Sequence, residues 1–469
     1  MKNKLNLTFG AVLLASVVLT GCTVGPDYET PDAPVPSAYK NGSSKAEGSA
    51  CREDWWKIFN DTQLNKLVDA AHGQNRSLRA SFQRVQQARS TIRVTRADLF
   101  PQIDTAADFN HSETSSELDF GNTAGFQNRG RTTSTYSLPV NAAWEIDLFG
   151  RVRRSTEAST ADAQAQEEEF AAMRLSVEAD LASTYFRIRA LDREINLVAE
   201  SVSLRQDSVK LVKERFDQGV VGELDLAQAK TQLSQSKAEI AALRRQRSQY
   251  ENALALLIGA PASGFSLGSR PLSGTPPRVP SGLPSELLRA RPDIRVAERN
   301  MAAAGARIGV ATAEFYPSIT LVGNVGVSAS EVGNLFQSSA GAWVINPSVS
   351  LPIFQGFRNK ANLERAEAAF EESRETYEGT ILTAISEVET NLAAWKHLRV
   401  QTNAQSEAVR SAKRARALTT EQYDAGLVDY LFVLDAERTA LTTERALATL
   451  TGDDYVNSVN LIRSLGGRW

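Results

Sequence analysis

Hydrophobic and polar positions follow two different periods along this chain, and the period changes after two prolines. Residues 75–100 are rich in Ala, Arg and Gln without Gly or Pro, which predicts a helix that ends at Pro101. Residues 291–316 match this segment and end at Pro317 in the same way. After each proline, apolar residues alternate with polar ones, as they do in a strand with one apolar face.

Four alternating segments follow the two prolines, and each has roughly the length of a membrane-crossing strand. Two hairpins of a soluble sandwich are the alternative interpretation. An open sheet edge in lipid leaves hydrogen-bonding groups unsatisfied, so four membrane strands require strands from other copies. A trimer is the smallest closed solution with an open lumen. The predicted strands span about residues 102–110, 134–148, 318–328 and 343–354.

The longest predicted helices follow the strand pairs. Residues 153–216 contain no Gly or Pro, and steps of three, four and seven separate their apolar residues, as in a coiled coil. This helix would be about 95 Å long, and residues 357–423 would form one of about 100 Å. The return helices, residues 224–258 and 431–465, are about half as long. The short helix before each proline could stack end to end on a return helix and make up the difference.

The two halves of the chain repeat each other. Residues 214–259 align without a gap with residues 421–466 at an offset of 207, which pairs Gly219 with Gly426. Such a glycine turn joins two antiparallel helices. The predicted organisation is a signal peptide at 1–21, a lipidated linker at 22–54, a first repeat at 55–259 with a long hairpin at 153–258, a linker at 260–284, and a second repeat at 285–469 with a long hairpin at 357–465.

The N-terminus is typical of an exported protein. Lys2 and Lys4 precede an apolar run, and Leu19-Thr20-Gly21-Cys22 follows it. These four residues resemble the lipobox of bacterial lipoproteins, whose cysteine becomes the acylated N-terminus; an ordinary signal peptide with an incidental cysteine is the alternative. Thr23 resembles a signal for sorting to the outer membrane. We expect a covalent lipid on Cys22 and no other cofactor. Cys51 then has no intramolecular disulfide partner.

Charge and motifs exclude several classes of function. The formal charge is −3, and loss of the two signal lysines leaves 50 basic against 55 acidic residues, which speaks against nucleic-acid binding. Residues 264–268 fit the nucleophile-elbow pattern around Ser266, but no strand before them and no helix after them can be predicted. His72, His111 and His397 lack metal-ligand spacing. We therefore predict no enzyme activity and no metal site.

Several motifs together resemble the outer-membrane factor (TolC) family, in its NodT/OprM-like lipoprotein branch that serves resistance–nodulation–division efflux pumps. They are the lipobox at Cys22, Trp55-Trp56, the run Arg291-Pro292-Asp293-Ile294-Arg295, Phe315-Tyr316-Pro317, and the paired turns at Gly219 and Gly426. The resemblance implies an α+β membrane protein with an internal two-fold duplication. It implies a homotrimer with a twelve-stranded β-barrel, four strands per chain, in the outer membrane, continuous with a twelve-helix coiled-coil tunnel in the periplasm.

The resemblance also implies a function. Members of the family act as passive exit ducts for drugs or other small toxic compounds, joined to an inner-membrane pump by a periplasmic adaptor. Ducts for metal-ion efflux or type I secretion are alternatives within the family. A periplasmic adaptor lipoprotein is an alternative of another class, but it would show one helical hairpin and a soluble β-domain. A secreted helical enzyme would need a catalytic constellation.

By the same resemblance, the hairpin turns should hold a gate and an adaptor-binding surface. Long helices that relax their superhelical twist open like an iris. Relatives carry an acidic residue where Thr420 stands, so this chain departs from a carboxylate ring at that level. For the two aspartates, the alternative role is that of solvated turn residues. The predicted gate residues are Asp217, Leu418, Thr420, Glu421 and Asp424, and the predicted adaptor contacts are Arg215, Gly219, Val221, Gly222, Gly426 and Val428.

Overall fold

The computed structural model describes residues 23–33, 35–42, 54–115, 131–279, 282 and 284–467. The predicted signal peptide, Cys22 and Cys51 lie outside the described residues. The chain forms two compact units, and each unit contains segments of both predicted repeats. The repeats are therefore units of sequence rather than of packing, and their exact limits stay a prediction. Unit 1 comprises Met1–Pro31, Gln86–Ala165 and Glu298–Thr376, and unit 2 comprises Asp32–Val85, Gln166–Ala297 and Tyr377–Trp469.

Three helices of the first half recur with equal lengths in the second half. Helices α3 and α7 have 67 residues each, α4 and α8 have 35, and α2 and α6 have 22. Within the described part of the chain, no helix is apolar over a length sufficient to span a membrane. The helices are α1 Thr62–Gln74, α2 Arg76–Ala97, α3 Arg151–Asp217, α4 Glu223–Leu257, α5 Leu287–Ala290, α6 Pro292–Ala313, α7 Arg358–Asp424 and α8 Tyr430–Ser464.

One antiparallel sheet in unit 1 combines strands of both halves. Strands β1 and β2 both pair with β3, β3 pairs with β4, and β4 pairs with β5. Ile103, Ala142, Gly323 and Ile345 lie opposite one another in a single row across the four strands, so they belong to the same face of the sheet. This row confirms the apolar face that the alternation predicts. The strands are β1 Gln102–Thr105, β2 Asp108–Thr114, β3 Arg131–Ile146, β4 Ser318–Ala329 and β5 Gly341–Ser350.

The prediction of a single strand at residues 102–110 is wrong, because two shorter strands, β1 and β2, lie one after the other along the same edge of β3. The two strands keep one register on β3, and the break between them lies opposite Pro139. Proline has no N–H to donate to a neighbouring strand. On the other side of β3, Gly326 lies opposite Pro139, and a Cβ at Gly326 would overlap the carbonyl of Leu138 and the Cα of Pro139.

The remaining strand limits differ from the prediction by a few residues. The strand predicted at 134–148 begins three residues earlier, at Arg131, and ends two residues earlier, at Ile146. Thr132 and Thr133 are β-branched and pair with β2, which favours the longer hairpin. The strand predicted at 343–354 spans Gly341–Ser350 instead. Its last pair joins Ser350 to Ser318, the first residue of β4, so residues after Ser350 have no partner on that strand.

The main core of unit 2 forms around two adjacent tryptophans. Trp55 and Trp56 are each 1% exposed, so both indole rings serve as packing anchors. The buried carboxylate of Glu178 accepts hydrogen bonds from Trp55 Nε1 at 2.9 Å and Arg174 Nε at 2.8 Å, and it contacts His72 Nε2 at 2.6 Å. Three polar partners therefore satisfy a carboxylate that burial would otherwise destabilise.

Each return helix of unit 2 ends against the start of the short helix of its own half. The amide of Asn75, just before α2, donates to the carbonyl of Leu257 in α4 at 2.7 Å. The guanidinium of Arg291, just before α6, donates to the carbonyl of Ser464 in α8 at 2.9 Å. This contact confirms the end-to-end stacking expected from the helix lengths.

Glycines close both of these junctions. Gly259 and Gly466 have φ values of +75° and +86°, the left-handed conformation that ends a helix. A Cβ on Gly259 would overlap the carbonyl of Gln74, and one on Gly466 would overlap the carbonyl of Ala290. Only glycine therefore allows the two helix ends to meet so closely.

Candidate functional site

Two glycine turns join the long helices to the return helices in unit 2. Gly219 and Gly426 have φ values of +72° and +73°. In the first turn, the N–H of Val220 donates to the carbonyl of Arg215 at 2.9 Å, and the second turn has an equivalent bond of the same length. A Cβ on either glycine would meet no atom within 4 Å. The backbone conformation alone therefore requires these glycines.

The ends of the two hairpins pack against each other. The guanidinium carbon of Arg215 lies 5.0 Å from the ring centre of Tyr423, whose ring lies 5.5 Å from that of Tyr430. Burial raises the pKa of the Tyr430 hydroxyl. Arg215, a predicted adaptor contact, thus also links α3 to α7. We call the apolar group beside it the tip cluster; it comprises Val212, Leu226, Ala229, Tyr430, Val433 and Leu434, with Val209, Val221 and Tyr423 at its margin.

The five predicted gate residues are exposed at the ends of the long helices, but their partners differ. Asp217 is the last residue of α3, and its Oδ2 lies 2.6 Å from Lys213 Nζ. Thr420, Glu421 and Asp424 lie on one side of α7, because Asp424 comes four residues after Thr420 and three after Glu421. The hydroxyl of Thr420 donates to the carbonyl of Arg416 at 2.9 Å. Leu418, at 39% exposure, completes the set.

The predicted adaptor contacts differ in exposure. Gly219, Gly222 and Gly426 are exposed, whereas Val221 and Val428 are partly buried. The most exposed large apolar side chains at the turns are not among the predicted residues. They form pairs at the repeat offset of 207, so the repeat itself could have identified them. They are Val220 with Leu427 and Leu224 with Leu431, each between 61% and 74% exposed.

A buried arginine and a half-buried glutamate lie just behind the tip cluster. Arg205 of α3 is 6% exposed, and it donates to the carbonyl of Gln232 at 3.1 Å and to the hydroxyl of Ser236. Burial raises the pKa of Glu437 on α8, and the charges of Arg205 and Arg416 offset part of this rise. The carboxyl group of Glu437 therefore takes up a proton more readily than an exposed one.

The first described residues, immediately after Cys22, are fixed to unit 1. The N–H of Val24 donates to the carbonyl of Phe149 at 3.2 Å. The buried guanidinium of Arg154 donates to the carbonyls of Val24 and Gly25, both at 3.2 Å, and to Asp27 Oδ1 at 2.8 Å. Residues 24–27 therefore lie close to the end of β3.

The structure gives little support for a catalytic serine at Ser266 or for a metal site at the histidines. Ser266 lies in an extended segment that has no strand before it and no helix directly after it within the described residues 265–279. No group of three or more His, Cys, Asp or Glu residues in the described part of the chain could hold a metal ion. His72 contacts Glu178, and His111 contacts Ser134 at 2.9 Å.

Comparison with known proteins gives consistent similarities over nearly the whole chain. A family model described as outer membrane efflux protein matches residues 67–260 and 283–467. The outer membrane protein OprJ of Pseudomonas aeruginosa is 34% identical over 98% of this chain and 95% of its own. The cation efflux system protein CusC of Escherichia coli O6:H1 is 34% identical over 97% of both chains. The solved structure of the outer-membrane channel OprN has a TM-score of 0.86 and 31% identity, and the match covers 95% of this chain and 99% of OprN.

Proposed function

This chain belongs to the outer membrane efflux protein family and is an outer-membrane efflux channel, and we propose that it is the passive exit duct of a tripartite system for drugs or other small toxic compounds. An inner-membrane pump would supply the energy, and a periplasmic adaptor would join pump and duct. The observation that carries this proposal is a match to channel proteins along almost all of both chains. We also propose that the protein is not an enzyme, because the relatives that it matches are named as efflux and channel proteins.

The duct proposal includes a homotrimer, because one chain supplies a sheet with two unpaired edges. Strand β1 with β2 forms one edge of the described sheet, and β5 forms the other. Pairing of these edges between three copies would close a twelve-stranded barrel and satisfy the edge hydrogen bonds in lipid. Four long or stacked helices per chain would then give twelve helices around the periplasmic tunnel. The equal helix lengths in the two halves support the proposed internal duplication.

We propose that the hairpin turns form the mobile end of the duct. The gate would consist of Asp217, Leu418, Thr420, Glu421 and Asp424. The tip cluster with Arg215 and Tyr423 joins the two hairpins of one chain, so opening would move them as a pair. The protruding Val220, Leu224, Leu427 and Leu431 would add an apolar surface to the proposed adaptor contacts.

We also propose that Cys22 carries the covalent lipid. The contacts of Arg154 and Phe149 with residues 24–27 support this, because they would hold an anchored N-terminus close to the sheet. Replacement of Cys22 by Ser should abolish labelling with radioactive palmitate while the protein is still exported. Labelling that persists in this variant would contradict the assignment.

Metal-cation efflux is a second candidate, favoured by one observation. CusC, whose name assigns it to cation efflux, is as similar to this chain as OprJ is, at 34% identity. Deletion of the gene in its own organism, followed by growth on drugs and on copper or silver salts, separates the candidates. Sensitivity to drugs alone supports the first, and sensitivity to metals alone supports the second.

Localisation and partner capture test the proposed function directly. We expect the chain in the outer-membrane fraction as an oligomer that migrates as a monomer only after heating. A photo-crosslinking amino acid at Val220 or Leu427 should capture a periplasmic adaptor identified by mass spectrometry. The same amino acid at Val400, which is 66% exposed on α7 away from the turns, is the control. A protein that is soluble once its lipid is removed would exclude the barrel.

A further inference from the structure

Helix α2 carries a stripe of positive charge. Its 22 residues include six arginines and no acidic residue. Leu78, Ser81 and Val85 are buried, and three and four residues separate them, as in a coiled coil. Each of the exposed arginines 79, 89, 93 and 96 comes one residue after a position of this series. These four arginines therefore lie on one flank of α2, next to its buried face. We call them the arginine stripe.

Three glutamates in the first turns of α7 follow the same spacing, next to the basic residues Arg358, Lys360 and Arg365. Glu364, Glu367 and Glu371 are exposed and stand three and four residues apart, and we call them the glutamate stripe. Two of them have exposed partners on their own helix: Glu364 lies 3.6 Å from Lys360, and Glu371 lies 2.7 Å from Arg374. Among the described residues, Glu367 has no ion pair.

Arg93 and Arg96 also lack an ion pair within the described residues. Arg93 donates only to Ser90 on its own helix, at 3.0 Å. Arg93 and Arg96 stand three residues apart and repel each other, and α2 contains no acidic residue. An acidic surface placed against this flank would remove that cost.

The sheet topology determines which helices can meet between copies. Helix α2 leads into β1 at one edge of the sheet, and α7 follows β5 at the other edge. All strand pairs of the sheet are antiparallel. If β5 of one copy pairs with β1 of the next in the same manner, α2 of the second copy runs antiparallel beside α7 of the first.

We propose that the arginine stripe of α2 binds the glutamate stripe of α7 in a neighbouring copy of this chain. This inference rests on the proposed trimer and names the side chains that hold its copies together outside the sheet. Both stripes advance about 10 Å for every seven residues, so several pairs can align at once. Flanking charges of this kind set partner choice and orientation in coiled coils. The contact therefore favours closure between α2 and α7 over any pairing of like helices.

Disulfide trapping tests the contact. With Cys51 replaced by Ser, the double variant R93C/E367C should form covalent dimers and trimers on a non-reducing gel, because Arg93 lies opposite Glu367 when the two antiparallel stripes align. The matched control is R84C/E367C, because Arg84 is exposed on the other flank of α2. Cross-linking confined to single chains, or equal cross-linking of both variants, would overturn the proposal.

Charge exchange provides a second, independent test. We expect R93E/R96E and E364R/E367R each to lower the dissociation temperature of the detergent-solubilised trimer by about 5 °C or more. Combining the four changes should restore most of the loss, whereas R84E should have no effect. Unchanged dissociation in both double variants would show that the stripes are only solvated faces.

The two proposals fail in different ways. If the unaltered protein is not a trimer, the proposed duct is wrong, and the stripes lose their partner as a consequence. If the unaltered protein is a heat-modifiable trimer but the cysteine pair does not cross-link between copies, only the stripe contact is wrong.

Discussion

Asn75 and Arg291, which stand 216 residues apart at equivalent positions of the two repeats, each donate a hydrogen bond to the last turn of a return helix. The carbonyl of Asn75's side chain also accepts the N–H of Leu78 at 2.9 Å and so caps α2. The guanidinium of Arg291 also pairs with Asp293 at 2.6 Å and Glu387 at 2.8 Å. An amide in one repeat and a guanidinium in the other thus bind equivalent carbonyls that have no partner within their own helix.

Removal of Arg291 should destabilise the protein more than removal of Asn75. Arg291→Ala leaves a buried carbonyl without its donor and two carboxylates without their cation, at a cost of about 2–3 kcal/mol. Asn75→Ala loses one cap and one hydrogen bond, at about 1–2 kcal/mol. Thermal unfolding followed by circular dichroism measures both. Equal losses would mean that the ion pairs of Arg291 contribute little.

The junction glycines should tolerate substitution less than the turn glycines. Gly259→Ala forces a Cβ into the carbonyl of Gln74 in addition to the strained φ, and we expect a loss of about 3 kcal/mol or more. Gly219→Ala has similar φ but open space around it, and should lose only about 1–2 kcal/mol. Denaturant midpoints of the two variants test this order, and similar midpoints would refute it.

Gly326 should be required for sheet assembly. A Cβ there would overlap the backbone of β3 at Leu138 and Pro139, so Gly326→Ala should reduce the yield of heat-resistant oligomer in the outer membrane several-fold. Gly341→Ala is the matched control, because its Cβ would lie 3.6 Å from the carbonyl of Ser338, an ordinary contact. The readout is the ratio of oligomer to monomer on unheated gels. A normal ratio for Gly326→Ala would contradict the close approach.

Reversal of charge at Asp424 should open the proposed gate. If Asp424 makes an attractive contact that holds the proposed gate closed, Asp424→Lys turns that contact into a repulsion, and we expect a higher single-channel conductance in planar bilayers. Asp207→Lys is the control, because Asp207 is exposed on α3 ten residues before Asp217 and pairs only with Lys210 among the described residues. Unchanged conductance for Asp424→Lys would place this residue outside the gate.

The end of the hairpin pair should become less stable as the pH rises. Burial raises the pKa of Glu437 above 4.5, so the folded state binds its proton more tightly than the unfolded state. This contribution to stability is fully present below pH 4.5 and is lost as the pH rises through the raised pKa. Hydrogen exchange of residues 430–440, corrected for intrinsic rates, should therefore show more protection near pH 5 than at pH 7.5.

Glu437→Gln should remove most of this pH dependence and raise protection at pH 7.5, because a neutral amide has no charge to desolvate. The exposed Glu421→Gln serves as the control. A pH dependence that survives in Glu437→Gln would assign it to another group.

The helices and the sheet faces could be predicted because they depend on local periodicity. The steps of three and four that define α3 and the alternation of Leu138, Val140 and Trp144 are properties of consecutive residues. The paired turns followed from the repeat, since Gly219 and Gly426 supply a left-handed conformation that few other residues adopt. The break between β1 and β2 was missed because it depends on Pro139, a residue of the neighbouring strand.

Long-range packing set the remaining features, because it brings together residues that no local pattern connects. Val221 and Val220 are adjacent and alike, yet Val221 packs against the tip cluster and Val220 is exposed. Likewise, nothing near Arg215 in the sequence indicates a partner, but in the folded chain the ring of Tyr423 lies beside its guanidinium. Periodicity and repetition therefore specify the elements and the family, whereas the partners of each side chain at the turns follow from how the two hairpins pack.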